Sequence, residues 1–169
     1  MQRELFILRH AKSDWAEAGQ SDFERPLAHR GKKDARKLGE WMREHYLYPG
    51  LVLSSPAQRA RQTLAAIGKA LDIPADKIRF DERLYLASLH MLLKILEAVP
   101  TEYSSVMLVG HNPGLDELVN YISAGTVPLS DSGKLMTTAC LAHFRLPAEW
   151  AGLKGKAQLV QIVRPREIE

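Results

Sequence analysis

Six short apolar segments have the length and composition of β-strands. Three of them are continuous apolar runs, at residues 5–8, 51–53 and 106–109. Continuous runs of this length are typical of strands that are buried on both faces of a sheet. Shorter or more mixed candidates lie at residues 78–80, 139–146 and 158–163. Because a proline and two glycines separate the last two, these segments can pair as a hairpin with a long loop.

Four amphipathic segments between the strands predict α-helices, at about residues 30–46, 55–71, 88–99 and 113–122. The first carries one stripe that consists of Ala35, Leu38, Trp41, Met42 and His45. Two of the helices are predicted to begin at a serine N-cap, Ser55 (with Pro56 as the first helical residue) and Ser88. Strands that alternate with helices in this way predict a three-layer α/β/α sandwich with a mostly parallel central sheet.

The composition is that of an ordinary globular domain, and it excludes several classes of protein. The chain has 169 residues, of which 46% are hydrophobic and 25% charged, so it can build a sizeable core. We therefore expect a single domain over residues 1–169, and not a disordered, collagen-like or coiled-coil protein. The net charge of +3 is too small and too dispersed to indicate nucleic-acid binding.

The single cysteine and the short apolar runs bear on the compartment of the protein. Cys140 has no second cysteine to pair with, so an oxidised scaffold is excluded, and we expect this residue to be a small core residue. The run 5–8 is too short for a signal-peptide core, and no run approaches the roughly 18 apolar residues of a membrane span. We expect a soluble, cytoplasmic protein.

Histidine and arginine residues follow the ends of three predicted strands. Arg9 and His10 come directly after the first run, Arg59 lies one helical turn beyond the second, and His111 follows the third. Ligands of open α/β sheets bind at the carboxyl ends of the strands, so we expect these side chains on one rim. Any one of them alone is more often an ordinary surface residue. Their common placement is what indicates a site.

This combination of side chains suits chemistry on a phosphoryl group. Arginine presents a planar fork of donors that matches phosphate oxygens, and it stays charged at any relevant pH. A neutral histidine can attack phosphorus, and flanking guanidinium groups are expected to lower its pKa and keep it neutral near pH 7. The arginines and the second histidine would then stabilise the equatorial oxygens during transfer.

Several other catalytic motifs are absent from the sequence. No G-x-x-x-x-G-K-[ST] loop, G-x-G-x-x-G turn or G-x-S-x-G elbow occurs. Cys140 and Arg145 are one position too close together for a thiol phosphatase. The histidines, at positions 10, 29, 45, 90, 111 and 143, form no H-x-H or H-x-x-x-H pair. We therefore expect neither a metal site nor an organic cofactor.

A group of basic residues precedes and enters the first predicted helix. Its members are Arg25, Arg30, Lys32, Lys33, Arg36 and Lys37. Asp34 and Glu40 interrupt the group, which favours a solvated helix face. A docking surface for an acidic protein partner is the alternative.

Four segments of the chain carry a known set of motifs. They are L-R-H-A-K-S at 8–13, R-P-L-A-H-R-G at 25–31, S-S-P-A-Q-R-A-R-Q-T at 54–63 and G-H-N-P-G-L at 110–115. In this order they resemble the signatures of the histidine phosphatase superfamily, also called phosphoglycerate-mutase-like. The short chain without a large insertion resembles the small phosphohistidine phosphatases of the SixA type. The resemblance implies the phosphoglycerate-mutase-like fold for the whole chain.

The resemblance also implies a role for each matching position. His10 would be the nucleophile that is transiently phosphorylated. Arg9 and Arg59 would bind the phosphoryl oxygens, and His111 would complete that pocket. All four residues are present.

Four positions near these residues have different expected relations to the substrate. Lys12 and Ser13 follow the nucleophile closely and are expected to add hydrogen-bond donors for the substrate. Arg61 is expected to face away from the pocket, because residues two apart on a helix point to different sides. Ala11 stands where many relatives have glycine, and we expect its methyl group to be tolerated.

One functional position departs from the family pattern. Many relatives carry a glutamate general acid in a pattern like R-L-x-E, but here Arg83-Leu84-Tyr85 is followed by Leu86. Asp81 and Glu82 lie upstream, and we expect them to be ordinary turn residues. Loss of a general acid costs roughly 10²–10⁴-fold where an alkoxide leaves, whereas cleavage of a labile P–N bond depends less on such an acid.

The sequence therefore predicts a phosphatase that forms a phosphohistidine intermediate and acts on protein phosphohistidine in a phosphorelay. Its partner would be a phosphorylated protein, such as a histidine-phosphotransfer domain. Two alternatives stay open. One is a phosphomonoesterase for small phosphorylated metabolites, which a carboxylate that reaches the pocket would favour. The other is a non-catalytic phospho-binding module. Neither nucleic acid nor a membrane is expected as a partner.

Overall fold

Strands and helices alternate along the chain as predicted. The computed structural model describes residues 2–15 and 18–168. The strands are β1 (Arg3–Arg9), β2 (Leu51–Ser54), β3 (Ile78–Phe80), β4 (Ser105–Gly110), β5 (Leu141–Leu146) and β6 (Gln158–Val163). The helices are α1 (His29–Glu44), α2 (Gln58–Leu71), α3 (Leu89–Glu97) and α4 (Gly114–Ile122). Short 3₁₀ turns lie at Ala75–Lys77, Glu82–Leu84 and Pro165–Glu167.

The six strands form one sheet in the order β3-β2-β4-β1-β5-β6. The pairs among β1, β2, β3 and β4 are parallel, whereas β5 runs antiparallel to β1 and β6 and forms the predicted hairpin with β6. Arg9 lies opposite Gly110, and Ser54 lies opposite Val109. The residues that follow β1, β2 and β4 therefore lie close together at the carboxyl ends of these parallel strands.

Alternate residues of β1 face two separate hydrophobic cores. Leu5 and Ile7 lie in a core with side chains of α3 and α4, whereas Phe6 and Leu8 lie in a core with side chains of α1 and α2. None of the four is more than 1% exposed. Burial of each such side chain contributes roughly 1.5–3 kcal/mol. Helices thus cover both faces of the sheet, which confirms the α/β/α sandwich.

Helix α2 begins later than the sequence predicts. Its N-cap is Ala57, and no side chain caps it, so the prediction of Ser55 as the cap and Pro56 as the first helical residue was wrong. The Ser55 hydroxyl accepts a hydrogen bond from the Ala57 backbone N–H at 3.2 Å and is also hydrogen-bonded to His111. The serine therefore belongs to a turn that joins the sheet edge to the helix.

The other helix ends agree more closely with the predictions. Ser88 is the N-cap of α3, where its side chain accepts a hydrogen bond from the Met91 N–H, as predicted. Helix α1 ends at Glu44, so His45 lies beyond it and is exposed rather than part of the buried stripe. The His45 ring stacks on Trp41, with 3.9 Å between the ring centroids.

The start of α1 packs against the loop that follows β1. A Cβ atom at Gly31 would lie 2.1 Å from the backbone oxygen of Lys12, so only glycine allows this approach. The same oxygen accepts a hydrogen bond from the Ala28 N–H at 2.9 Å. Helix α1 thereby fixes the backbone immediately after His10.

Candidate active site

His10 and His111 lie side by side at the carboxyl ends of the central strands β1 and β4. Each follows its strand directly, and the His10 N–H donates a hydrogen bond to the Gly110 carbonyl at 3.2 Å. The ring centroids are 5.1 Å apart and the rings are tilted by 52°. Both side chains are buried, with 6% and 3% exposure. The sequence prediction that β1 and β4 bring the two histidines together is confirmed.

The backbone after β1 sets the protonation of the His10 ring. His10 Nδ1 lies 2.7 Å from the carbonyl oxygen of Ala11. A carbonyl oxygen can only accept, so Nδ1 carries the proton and the lone pair is on Nε2. The Ala11 N–H donates to the Thr63 hydroxyl at 2.9 Å, and that hydroxyl donates to the Arg59 carbonyl at 2.7 Å. Helix α2 therefore holds the peptide that orients the histidine.

The methyl group of Ala11 is accommodated as expected. Ala11 is fully buried in a small cluster with Leu27, Ala35 and Ala139. Ala35 belongs to α1, so the methyl group of Ala11 contributes to the packing of this helix near the site.

Arg59 places its guanidinium beside the lone pair of His10. Arg59 is in the first turn of α2, is 2% exposed, and its Nε lies 3.4 Å from His10 Nε2. Its other nitrogens bind Asp22, with NH1 donating to the backbone oxygen at 2.7 Å and NH2 to Oδ2 at 3.1 Å. The charged group is therefore held in one orientation next to the nucleophile.

Sequence reasoning missed Asp22 and Tyr85, which complete this network. The Tyr85 hydroxyl donates a hydrogen bond to Asp22 Oδ2, and Arg25 forms an ion pair with Asp22 Oδ1 at 3.0 Å. These hydrogen bonds, with that from Tyr85 first, and the charge of Arg59 lower the pKa of Asp22 to about 2. Asp22 is thus an ionised acceptor at neutral pH and a poor proton donor.

His111 is fixed by a hydroxyl from the neighbouring strand end. A hydrogen bond of 2.7 Å joins His111 Nε2 and the Ser55 hydroxyl, and the Tyr85 ring packs nearly perpendicular to the imidazole, with 5.4 Å between the ring centroids. His111 Nδ1 is buried and has no hydrogen-bond partner within residues 2–15 and 18–168. Bound anionic oxygen can satisfy such a nitrogen when it carries a proton.

Both histidines are held neutral at physiological pH. Burial, more than any charge, lowers the pKa of His10 to about 4 and that of His111 to about 3. The charges of Arg59, Arg9 and Arg25 lower the pKa of His10 further, but their effect is smaller than that of burial. The sequence-based argument had the direction right and named the secondary cause.

The remaining predicted site residues surround this centre at different depths. Arg9 is half-buried, and its NH1 donates to the Met136 carbonyl at 3.0 Å, while its Nε has no partner among the described residues. Lys12 is exposed. The Ser13 hydroxyl accepts a hydrogen bond from Arg25 at 2.9 Å, so its proton is free to be donated elsewhere. Binding of the substrate by Arg9, Lys12 and Ser13 stays a prediction.

Arg61 faces away from the two histidines, as expected. Its side chain is exposed, its Nε donates to the Pro56 carbonyl at 2.8 Å, and its guanidinium lies over the Phe80 ring. Arg59 and Arg61 share one helix but have different surroundings, and only Arg59 points to His10.

The carboxylates that precede Leu86 are engaged elsewhere. Asp81 binds the Arg83 guanidinium at 2.7 Å and accepts a hydrogen bond from the Arg83 N–H, which makes it the cap of a 3₁₀ turn. Glu82 and Leu86 are exposed. Within the described part of the chain, neither Asp81 nor Glu82 is hydrogen-bonded to His10, Arg59 or His111. The expectation that both are turn residues agrees with this geometry.

Three further observations concern metal-binding groups, membrane-spanning helices and the cysteine. Among residues 2–15 and 18–168, no three His, Cys, Asp or Glu side chains are grouped so as to hold a metal ion. No helix in the same part of the chain combines the length and apolar character needed to cross a membrane. The single cysteine, Cys140, is fully buried, and burial raises the pKa of its thiol to about 12.

Comparisons of sequence identify the family. The family model of the histidine phosphatase superfamily (branch 1) matches residues 5–85. The phosphohistidine phosphatase SixA of Escherichia coli is 30% identical over 144 residues, which cover 85% of this chain and 85% of that protein. An uncharacterised protein of Mycobacterium tuberculosis is 36% identical over 165 residues, which cover 94% of this chain and all of that protein.

Solved structures share the fold. The structure of the protein histidine phosphatase SixA in complex with tungstate superimposes with a TM-score of 0.81, at 25% identity, and covers 98% of this chain and 99% of that one. A mycobacterial glucosyl-3-phosphoglycerate phosphatase, at 16% identity and a TM-score of 0.64, is similar in fold alone. The phosphoglycerate-mutase-like fold is confirmed, and the SixA relatives support a histidine-phosphatase function. The chain belongs to the histidine phosphatase superfamily, together with the SixA proteins that it resembles over most of its length.

Proposed function

We propose that this chain removes the phosphoryl group from phosphohistidine on a protein partner, through a covalent intermediate on His10. One observation carries the proposal. The Nδ1–H of His10 is bound by the Ala11 carbonyl, which leaves the Nε2 lone pair beside the guanidinium of Arg59. A lone pair on a neutral imidazole, next to a fixed positive charge, is the arrangement that attack on a phosphoryl anion requires.

In the first step His10 Nε2 attacks the phosphorus atom of the substrate. A bond forms between Nε2 and phosphorus, and the P–N bond to the substrate imidazole breaks. Arg59 and Arg9 bind the equatorial oxygens, and His111 donates through Nδ1 when that nitrogen carries the proton. If the other nitrogen of the substrate imidazole is already protonated, the ring leaves as neutral imidazole, so no proton has to be delivered at the breaking bond.

In the second step water attacks phospho-His10. The Nδ1–H that is held by the Ala11 carbonyl stays in place, so His10 also leaves as neutral imidazole when its P–N bond breaks. The water proton goes to the released phosphate or to solvent. The same backbone hydrogen bond thus prepares His10 as a nucleophile in one step and as a leaving group in the other.

The state of the nearby carboxylate supports the choice of a P–N substrate. When a phosphate ester is cleaved, an alkoxide leaves, and its departure needs an acid that is protonated near neutral pH. Asp22 is the carboxylate bound to Arg59, and its pKa is lowered to about 2, first by the hydrogen bond from Tyr85. A group that is ionised in this way accepts hydrogen bonds and orients Arg59, and it does not protonate an alkoxide.

A second candidate function is a phosphomonoesterase for small phosphorylated metabolites. The observation in its favour is that a carboxylate, that of Asp22, does reach the network around His10. This candidate requires Asp22 to take up a proton when substrate displaces Tyr85 or Arg59. We rank it second because both of those partners stabilise the ionised form.

A comparison of substrates tests the proposal. Initial rates are measured for the purified protein with a phosphohistidine-bearing protein, a phosphoserine peptide and para-nitrophenyl phosphate. We expect kcat/KM for the phosphohistidine protein to exceed that for the phosphoserine peptide by about 10²-fold or more, the range of a missing general acid. Equal or faster hydrolysis of the phosphoserine peptide would contradict the proposal and favour the phosphomonoesterase.

Two arginines on α2 provide a matched pair of variants for the same assay. Arg59→Gln removes the charge beside His10 and is expected to lower kcat about 10²–10³-fold, as loss of one oxyanion donor does. Arg61→Gln removes the same charge two residues away on the exposed side and is expected to change kcat less than about twofold. Similar losses in both variants would mean that Arg59 acts through the helix and not on the phosphoryl group.

A further inference from the structure

A basic cleft opens next to the catalytic centre, between the start of α1, the segment 130–138 and the C-terminal segment 164–167. Its volume is about 460 Å³, and six of the side chains that line it are basic, against three acidic ones. The basic residues are Arg9, Lys12, Arg30, Lys134, Arg164 and Arg166. Hydroxyl groups of Ser130 and Thr137 also line it. The net positive charge of this lining favours an anionic occupant.

One of these charges is buried and poorly compensated. Arg164 is 4% exposed, and its NH2 donates to the carbonyl oxygens of Pro128 at 2.8 Å and Leu135 at 2.9 Å. Its ion pair within the described residues is with Glu167, at 3.6 Å, and the carboxylate side chain of that pair is 47% exposed. Its Nε has no hydrogen-bond partner among the same residues. An anion in the adjoining cleft would stabilise this weakly paired buried charge.

Arg9 connects the cleft to the nucleophile. It directly precedes His10 in the chain, and its side chain lines the cleft. Its NH1 is bound to the Met136 carbonyl, and its Nε is buried without a partner in the described part of the chain. Any part of a substrate that reached past Arg9 from a phosphoryl group at His10 would therefore meet basic surroundings.

We infer that the cleft binds acidic side chains that flank the phosphohistidine of the protein partner. Four of the basic side chains, those of Lys12, Arg30, Lys134 and Arg166, are exposed, long and spread along the cleft. Such an array suits several carboxylates on an extended surface more than one compact anion. This inference rests on the proposed function, because it assigns the part of the same substrate that lies beyond the transferred group.

Peptides of matched sequence test the inference. One peptide carries phosphohistidine flanked by Asp and Glu, a second carries the same phosphohistidine flanked by Asn and Gln, and phosphoramidate serves as a substrate with no flanking group. We expect kcat/KM for the acidic peptide to exceed that for the neutral peptide by about tenfold or more at low salt, and the preference to shrink as salt rises. Equal rates on both peptides would overturn the inference.

Two triple variants of equal charge locate the effect. Arg30→Gln/Lys134→Gln/Arg166→Gln removes three charges from the cleft. Arg43→Gln/Lys69→Gln/Lys94→Gln removes three exposed charges elsewhere. The cleft variant is expected to abolish the preference for the acidic peptide, with turnover of phosphoramidate within about twofold of the parent, whereas the control variant keeps the preference. A preference that persists in the cleft variant, or a parallel loss on phosphoramidate, would overturn the inference.

A binding measurement separates this inference from the proposed function. Calorimetry with the unphosphorylated acidic peptide requires no turnover, and it is expected to show binding to the parent protein that the cleft variant loses. If phosphohistidine is not hydrolysed while this binding persists, the proposed function fails and the cleft assignment stands. The decrease in kcat/KM that the cleft variant causes is also compared for the acidic peptide and for a small ester with a second phosphate. A larger decrease for the ester would mean that the cleft binds small metabolites, and the inference would fail.

Discussion

Asp22 holds Arg59 from the side opposite to His10. The carboxylate Oδ2 accepts a hydrogen bond from Arg59 NH2 at 3.1 Å, and the Asp22 backbone oxygen accepts one from NH1 at 2.7 Å. The remaining nitrogen, Nε, lies 3.4 Å from His10 Nε2. Asp22, Arg59 and His10 are therefore linked in a row, in which the carboxylate orients the guanidinium and the guanidinium faces the nucleophile. Asp22 is a positioning residue in this arrangement.

Asp22→Asn is expected to weaken catalysis by a similar factor on all substrates. A charge-assisted hydrogen bond contributes about 1.5–3 kcal/mol, so its loss lowers kcat/KM by roughly 10–100-fold. Because Asp22 positions Arg59 and gives up no proton, para-nitrophenyl phosphate and a phosphoserine peptide should lose the same factor. Asp76→Asn, at an exposed position, is the control and should be unchanged. A much larger loss on the phosphoserine peptide, whose alkoxide is the poorer leaving group, would identify Asp22 as a general acid instead.

Both active-site histidines are expected to titrate at unusually low pH. Burial lowers the pKa of His10 to about 4 and that of His111 to about 3, so both rings are neutral throughout the physiological range. The imidazole resonances of the free protein, followed by NMR from pH 8 to pH 3 and assigned with His10→Gln and His111→Gln, should begin to shift only below about pH 5 for His10 and below about pH 4 for His111. Midpoints near pH 6.5 would contradict a buried, neutral nucleophile.

The same pKa shift predicts how stability depends on pH. The unfolded chain takes up a proton on this histidine near pH 6.5, whereas burial in the folded chain lowers the pKa of His10 to about 4. Between these values the unfolded state binds more protons, so the free energy of unfolding falls as pH falls from about 6.5 to 4. His10→Gln should remove a part of that decrease, of the order of 1–3 kcal/mol, in urea denaturation at pH 7 and pH 4.5. If the free energy of unfolding differed between pH 7 and pH 4.5 by the same amount in His10→Gln as in the parent protein, the prediction would be contradicted.

Two glycines are expected to respond in opposite ways to replacement by alanine, because only Gly31 lies at the close approach of α1 to the loop after His10. Gly31→Ala would push a methyl group against the Lys12 carbonyl, 2.1 Å away, and is expected to destabilise the protein by about 1–3 kcal/mol. Gly68→Ala, within α2, meets no atom within 4 Å and is expected to stabilise it by about 0.5–1 kcal/mol. Denaturation midpoints of the two variants measure the contrast. Equal midpoints would mean that the loop moves aside without cost.

The parts of the fold that local patterns encode were predictable from the sequence. Continuous apolar runs such as 5–8 and 106–109 become the buried strands β1 and β4, and Ser88 caps α3 as its sequence indicates. Ser55 has the same local signature but caps no helix, and its hydroxyl binds the Ala57 N–H of the preceding turn and His111, which is far away in the chain. That residues 1–169 form one domain in the cytoplasm stays a prediction.

The candidate site was predictable only where residues follow the ends of strands. His10, Arg59 and His111 could be placed together because parallel strands bring their carboxyl ends to one edge. Asp22 lies in an irregular loop and meets Arg59 across 37 positions and Tyr85 across 63, so no spacing in the sequence links them. The dominant effect of burial on the pKa of His10 also requires the packed structure.

Covalent labelling of His10 tests the central claim most directly. The protein is mixed with a phosphohistidine protein that carries a radiolabelled phosphoryl group, quenched within milliseconds and analysed for label that is labile to acid and stable to base. The account predicts transient label on the parent protein and on His90→Ala, whose histidine is exposed, and none on His10→Ala, which should also have lost turnover. Label that persists on His10→Ala, or turnover of the parent protein without any labelled intermediate, would contradict it.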